Sequence, residues 1–195
     1  KDNPGRERLE LIGKCNDRIE RIVDHLRKFS RQTETEFISL DINEPVENAL
    51  IMTAQQLLNH DILIEKDLSN CLPRISGDIN QLEQVFLNLI SNATDAMDEI
   101  NRDKVLTISS SSIKEDGKPY VIVSFKDTGV GIPKENLDKI IEPFFSTKPV
   151  GKGTGLGLSL CFGIIESHGG RIDIQSELGK GTDVRILIPA DREGK

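Results

Sequence analysis

Glycine occupies every second position from 151 to 157, in Gly151-Lys-Gly153-Thr-Gly155-Leu-Gly157. Such spacing does not suit the interior of a helix or a strand, because glycine loses more backbone freedom on ordering than any other residue. The stretch reads as a loop, and it ends a longer glycine-punctuated run that starts at Asp127. Two common phosphate loops are excluded. Gly-Lys occurs at 13–14, 117–118, 151–152 and 179–180 and is never followed by Ser or Thr, so there is no GxxxxGK[ST]. The cluster also lacks GxGxxG and follows a loop, not a strand, so the dinucleotide fingerprint fails. What remains is a loop, long enough to be a lid, whose N–H groups can face an anion and which runs into a helix start, a position that favours phosphate.

The elements around this loop follow from hydrophobic spacing. Ile12, Cys15, Ile19, Ile22, Leu26 and Phe29 form an a/d heptad stripe, so residues 6–33 read as one helix. That stripe must be buried, either on the chain's own domain or in a helical hairpin or dimeric bundle. Phe37–Ile42 alternates like a strand, and Asn43 is expected to cap a helix to Leu58 with Pro45 in its first turn. Ile62–Ile64 reads as a strand, Pro73 and Gly77 as loop punctuation, and Asp78–Ile100 as a long amphipathic helix. Two strands, Val105–Ile113 and Tyr120–Lys126, meet at Asp116-Gly117. Leu156–His168 is helical and stops at Gly169-Gly170. Arg171–Gln175 and Asp183–Ile188 close the chain as a hairpin over Gly179-Lys-Gly181. Helices mixed with antiparallel strands imply an α+β fold, one sheet with a helical layer on one face. The domain boundary is expected near residue 35, giving 1–35 and 36–195.

Composition narrows the function. The 195 residues carry a net charge of −7, unevenly spread: +3 over residues 1–33 and −10 over the rest. An acidic chain is a poor non-specific nucleic-acid binder, since phosphate neutralisation needs a basic surface. No apolar run approaches a membrane span, and no signal-like start is present, so no membrane contact is expected within the chain. The abrupt charged start suggests a fragment of a longer protein. Three scattered cysteines, Cys15, Cys71 and Cys161, without CxxC, indicate a reducing compartment and no thiol metal site. Neither HExxH nor GxSxG occurs, and His25, His60 and His168 are far apart, so a hydrolytic triad or a histidine metal site is not expected.

Four features remain. Asn88 and Asn92 are i and i+4 on the long helix, amid apolar neighbours. They are either partly buried amides bonded to neighbours or amide oxygens aimed at a hard cation; few protein ligands suit Mg²⁺ carried on nucleotide phosphates. Asp127-Thr-Gly129-Val-Gly131-Ile132 is either an ordinary turn after a strand or a carboxylate with glycines that let a flat ring approach backbone. Phe144-Phe-Ser-Thr147-Lys148 leads into the glycine loop, and Gly179-Lys-Gly181-Thr182 is at least a hairpin turn.

In this order the motifs resemble the ATP-binding domain of sensor histidine kinases, in the wider family that includes gyrase, Hsp90 and MutL. The resemblance runs from about Ile38 to Ile188 and includes the N, G1, F and G2 boxes. Residues 6–33 resemble the second helix of a dimerisation and phosphoacceptor hairpin. Glu142-Pro-Phe-Phe-Ser-Thr-Lys148 with Gly153-Thr-Gly-Leu-Gly157 looks like the nitrogen-regulator and dicarboxylate sensor branch. The resemblance implies a Bergerat-type two-layer α/β sandwich, a mixed sheet with a helical layer, preceded by the heptad helix. It implies that Asp127 accepts a hydrogen bond from the adenine amino group, that Gly131 admits the ring, and that Thr182 supports Asp127. Asn92 with Asn88 would hold Mg²⁺, and Lys148 with the N–H groups of Gly153, Gly155, Leu156 and Gly157 would hold the phosphates. Gly129, Ile132, Thr147, Thr154 and Leu158 complete the expected nucleotide contacts.

It further implies Mg-ATP as cofactor, γ-phosphate transfer to a hairpin histidine, a cognate response regulator as partner, a homodimer through the heptad helix, and a cytoplasmic location. Relatives that hydrolyse ATP carry a glutamate base at the place of Asn88; an amide cannot take a proton, which suits transfer to imidazole. Three departures stand out. No His-Glu or His-Asp motif lies on a first hairpin helix in this chain, and His25 reads as a solvated or rim residue. His168 is expected at a helix end, favourable to its dipole, and His60 at the surface. Asp95 stands where many relatives carry a basic residue, which leaves more of the phosphate grip to Lys148. Other readings are an ATP-dependent interaction module without transfer, and an ATPase of the same fold, against which Asn88 argues.

Overall fold

The computed structural model describes residues 36–148 and 154–191, together with Gly13. The expected heptad helix, His25 and Gly153 lie outside the described residues, and the expected boundary falls at their edge. In chain order the elements are β1 (Ile38–Leu40), α1 (Asn43–Asn59), β2 (Ile62–Leu68), β3 (Ile75–Gly77), α2 (Ile79–Asp98), β4 (Lys104–Glu115) and β5 (Lys118–Asp127). Then follow α3 (Lys134–Leu137), α4 (Gly157–Ser167), β6 (Arg171–Glu177) and β7 (Gly181–Pro189). Among the described residues no helix is long and apolar enough to cross a membrane.

A five-stranded sheet runs in the order β2-β4-β5-β7-β6. Only β2 and β4 pair in parallel, and the long connection between them contains α2. The other neighbours are antiparallel. Alternation decides which residues face the helices. Leu106 and Ile108 of β4, Val121, Val123 and Phe125 of β5, and Ile186 and Ile188 of β7 are buried. Against them α2 places Leu82, Val85, Phe86, Leu89, Ile90, Ala93 and Met97, spaced as one helical face. The Phe86 ring stacks on Phe125 with centroids 5.4 Å apart. α1 and α4 flank α2, so the fold is the expected α+β arrangement: a mixed sheet covered by one helical layer.

Three local expectations are corrected. Ile75–Gly77, expected as loop, is a strand that pairs antiparallel with β1 in a separate two-stranded sheet. Asn43 does not cap α1. The Asp41 carboxylate accepts the Asn43 N–H at 2.9 Å, while the Asn43 side chain donates to the Ser69 carbonyl and accepts from the Ser110 hydroxyl, both at 2.8 Å. His168 does end α4, but it is 6% exposed and works as a neutral connector. Its Nδ1 lies 2.8 Å from the Ile164 carbonyl, and its Nε2 accepts the Asp78 N–H at 3.1 Å. Burial lowers its pKa, so the helix dipole has no imidazolium to stabilise. Asp78 in turn caps α2 by accepting from the Asn80 and Gln81 N–H groups. His60 is partly exposed, as expected, and pairs with Asp98 at 2.8 Å.

Candidate functional site

A cleft of about 640 Å³ opens between α2, the sheet and the segment that leads to α4. That volume lies within the range of small-molecule sites. Twelve of the expected residues line it: Asn88, Asn92, Asp127, Gly131, Ile132, Thr147, Lys148, Thr154, Gly155, Gly157, Leu158 and Thr182. Gly129 and Leu156 do not. Gly129 packs against α2, where a Cβ would meet the Ala96 backbone at 2.8 Å. The Leu156 N–H is turned to the Thr154 hydroxyl at 3.4 Å, at the start of α4.

Asp127 follows from strand periodicity. Val121, Val123 and Phe125 point into the core, and the next inward position is a carboxylate. It is 6% exposed. Its Oδ1 accepts the Gly129 N–H at 2.8 Å and the Thr182 N–H at 3.3 Å. Its Oδ2 has no hydrogen bond among the described residues. Burial pushes the carboxyl up from 3.8 to about 6, against the pull of the two backbone donors. Thr182 sits opposite Asp127 in the β5–β7 register and supports it directly through backbone. Its hydroxyl is occupied elsewhere, 3.0 Å from the Ser176 hydroxyl.

The turn after Asp127 is pinned on several sides. Thr128 donates to the Asp103 carbonyl and accepts the Val105 N–H, and the Val130 N–H reaches Ala96 at the end of α2. Gly131 has φ +72°, and a Cβ there would stand 2.1 Å from the Glu177 carbonyl oxygen. No side chain fits this position, and the backbone is left bare toward the cleft. Two residues that sequence reasoning missed hold the same turn. Ser176 accepts the Ile132 N–H at 2.7 Å and donates to the Gly181 carbonyl at 2.9 Å. It was legible as the polar residue ending the inward series Ile172, Ile174, Ser176. Arg102 donates to the Thr128 and Gly129 carbonyls at 2.7 and 3.0 Å, and no local pattern announced it.

On the opposite wall, Asn88 and Asn92 share a face of α2. Asn88 faces the buried Cys161 thiol, which donates to the Val85 carbonyl at 3.8 Å and whose pKa burial pushes up to about 12. The Asn92 side chain has no hydrogen-bond partner among the described residues. Beside it, Asp95 takes the Lys148 ammonium at 2.5 Å. The loop base is closed by the Phe144 N–H on the Gly155 carbonyl at 2.9 Å. Gly155, at φ +69°, leaves only 2.4 Å between a would-be Cβ and Phe144 backbone. Among the described residues no three acidic, histidine or cysteine side chains form a metal cage.

The cleft thus has a buried, half-satisfied carboxylate at one end and, at the other, the unpartnered Asn92 amide beside the Lys148–Asp95 pair, a lining suited to a nucleotide. The family described as "Histidine kinase-, DNA gyrase B-, and HSP90-like ATPase" matches residues 77–192, and the chain belongs to it. Within that family it is a sensor histidine kinase catalytic domain. The chain is 38% identical over 181 residues to sensor kinase CckA of Brucella abortus (strain 2308), a match covering 89% of this chain and 19% of CckA. It is 36% identical over 179 residues to sensor histidine kinase ZraS of Klebsiella oxytoca, covering 92% of this chain and 37% of ZraS. The chain thus spans a minor part of these relatives. The nucleotide-free catalytic domain of histidine kinase ThkA aligns with TM-score 0.68 and 31% identity, over 80% of this chain and 96% of that one. ThkA in complex with response regulator protein TrrA aligns with TM-score 0.72 and 27% identity, over 100% of this chain and 55% of that one.

Proposed function

We propose that this domain binds Mg-ATP with the adenine amino group donating to Asp127 Oδ2, and passes the γ-phosphoryl group to a histidine on a dimerisation hairpin. A response regulator would then take it, as the ThkA–TrrA complex suggests by analogy. The observation that carries the reading is the unpartnered oxygen of a buried carboxylate facing the cleft. A buried polar atom without a partner costs free energy unless a ligand supplies one.

The other end of the cleft suits a triphosphate. Asn92 offers a free amide oxygen, a hard ligand, with Asn88 one turn away. With no acidic cage among the described residues, Mg²⁺ would be held mainly by phosphate oxygens. When bound it neutralises charge on the phosphates. Lys148 and the backbone from Thr154 to Gly157, with Gly153, would hold the chain of phosphates, and the start of α4 adds a favourable dipole. In the transfer the bond from the γ-phosphorus to the bridging oxygen breaks, a bond to an imidazole nitrogen forms, and ADP leaves. Neutral imidazole attacks with its own lone pair, so the step requires alignment and charge neutralisation more than a base. Asn88 fits that role: its amide cannot deprotonate water, so hydrolysis is not promoted.

The heptad pattern of residues 6–33 supports the second arm of such a hairpin and a homodimer. Glu142–Lys148 with Gly153–Gly157 supports the nitrogen-regulator and dicarboxylate sensor branch. ATP and reduced thiols support a cytoplasmic location.

Two measurements test this. Calorimetry should show Mg-dependent ATP binding that Asp127→Ala weakens tenfold or more, since one buried hydrogen bond to a charged group is worth about 1.5–3 kcal/mol. Unchanged affinity would remove the adenine assignment. With a supplied acceptor hairpin, radiolabel from ATP should enter it in acid-labile, base-stable form; tight binding without transfer would favour a regulatory module.

A further inference from the structure

Asp95 and Lys148 are 53 residues apart in sequence, yet their side chains meet at 2.5 Å on the wall of the nucleotide cleft. Asp95 is on α2, three residues after Asn92 and therefore on the same side of that helix. Lys148 comes from the other wall, within the segment that the Phe144–Gly155 bond closes. The pair is partly buried, with side-chain exposures of 28% for the lysine and 44% for the aspartate. It joins the element that carries Asn88 and Asn92 to the element that carries the cation.

We propose that Asp95 is a positioning residue: it fixes the Lys148 ammonium at the phosphate end of the cleft before the nucleotide arrives. The inference rests on the Mg-ATP reading and names a residue that reading does not use. A lysine has a long, freely rotating stem, and ordering it only when a ligand binds subtracts from affinity. A carboxylate that already holds it removes most of that cost. The ammonium has three N–H donors. Asp95 is its only acceptor among the described residues, so two donors stay free for phosphate oxygens. Asp95 contributes nothing to the adenine end, where Asp127 sits on a different element.

The test is a double-mutant cycle on the chain: wild type, Asp95→Asn, Lys148→Met and the double variant. Mg-ATP affinity is read by calorimetry, and adenosine, which lacks phosphates, by NMR titration. Asp95→Asn should weaken ATP about two- to fivefold, the range open to a partly exposed ion pair. It should leave adenosine unchanged and have no further effect in the Lys148→Met background. Asp95→Glu should recover part of the loss. Asp95→Asn binding ATP as well as or better than wild type would overturn the proposal, because the pair would then compete with phosphate. Equal losses for ATP and adenosine would overturn it by showing damage to the fold, and so would a full loss retained without Lys148. Failure of the underlying reading looks different: wild type would then bind neither ligand.

Discussion

Burial lifts the Asp127 carboxyl to about 6, and that single value sets opposite pH responses for the empty and the loaded domain. A carboxyl whose folded pKa lies above its ordinary 3.8 holds its proton more tightly in the native state. Its contribution to stability is therefore full at low pH and is lost as pH rises from about 4 to about 6, by up to about 3 kcal/mol. In the proposed ATP complex, in contrast, the ionised form is the acceptor, so ATP affinity should fall as pH drops below about 6. Asp127→Asn should flatten the low-pH limb of a titration of ATP affinity against pH; a limb of unchanged steepness would assign it to another group. Gly131 makes a second prediction at this scale. Gly131→Ala adds a Cβ 2.1 Å from the Glu177 carbonyl at a positive φ, so the β5 turn must shift. Urea unfolding should show a loss of at least about 1–3 kcal/mol, and ATP binding should weaken with it.

The elements carry the site through two joints, and both involve contacts that sequence spacing does not encode. Asp127 was legible because strand alternation runs unbroken from Val121 through Phe125 to it. The helix α2 was legible because its buried face repeats at helical spacing, which placed Asn88 and Asn92 together. β3 was not, because the three residues Ile75–Gly77 gain strand character only from pairing with β1. The start of α1 was not legible because the Asn43 side chain is drawn away by Ser69 and Ser110, which lie far along the chain, and Ile42 at the cap position offers no side-chain acceptor. Asp95 was visible as an odd residue, but its partner Lys148 was not. His168 was placed at its helix end, while its link to Asp78 came only with the packing of α4 against α2. That link is testable. Because burial lowers the His168 pKa, the stability it supplies is present above the ordinary histidine value of 6.5 and is lost as pH falls below it. His168→Ala leaves the Asp78 N–H without its acceptor and should cost about 1–3 kcal/mol in urea unfolding at pH 7.5, with a smaller difference at pH 5. An equal difference at both pH values would mean that the imidazole is not held neutral.

For the whole molecule, the two-layer fold does one thing: it sets a carboxylate on the sheet opposite amides on a helix, across a cleft that glycine backbone closes. Among the described residues, Ser176 and Arg102 stiffen that geometry and the buried faces of α2 and the sheet supply the core beneath it. The arrangement predicts that purine recognition and metal-phosphate recognition separate. Asn92→Ala should reduce ATP affinity in the presence of Mg²⁺ and leave metal-free ATP and adenosine binding nearly unchanged by calorimetry and NMR. The most direct measurement is a crystal structure of the domain with Mg²⁺ and a non-hydrolysable ATP analogue. The exocyclic amino nitrogen should lie within hydrogen-bond distance of Asp127 Oδ2, and the phosphates between Asn92 and Lys148. A base bound away from Asp127, or a triphosphate lying outside the wall formed by α2, would contradict this placement.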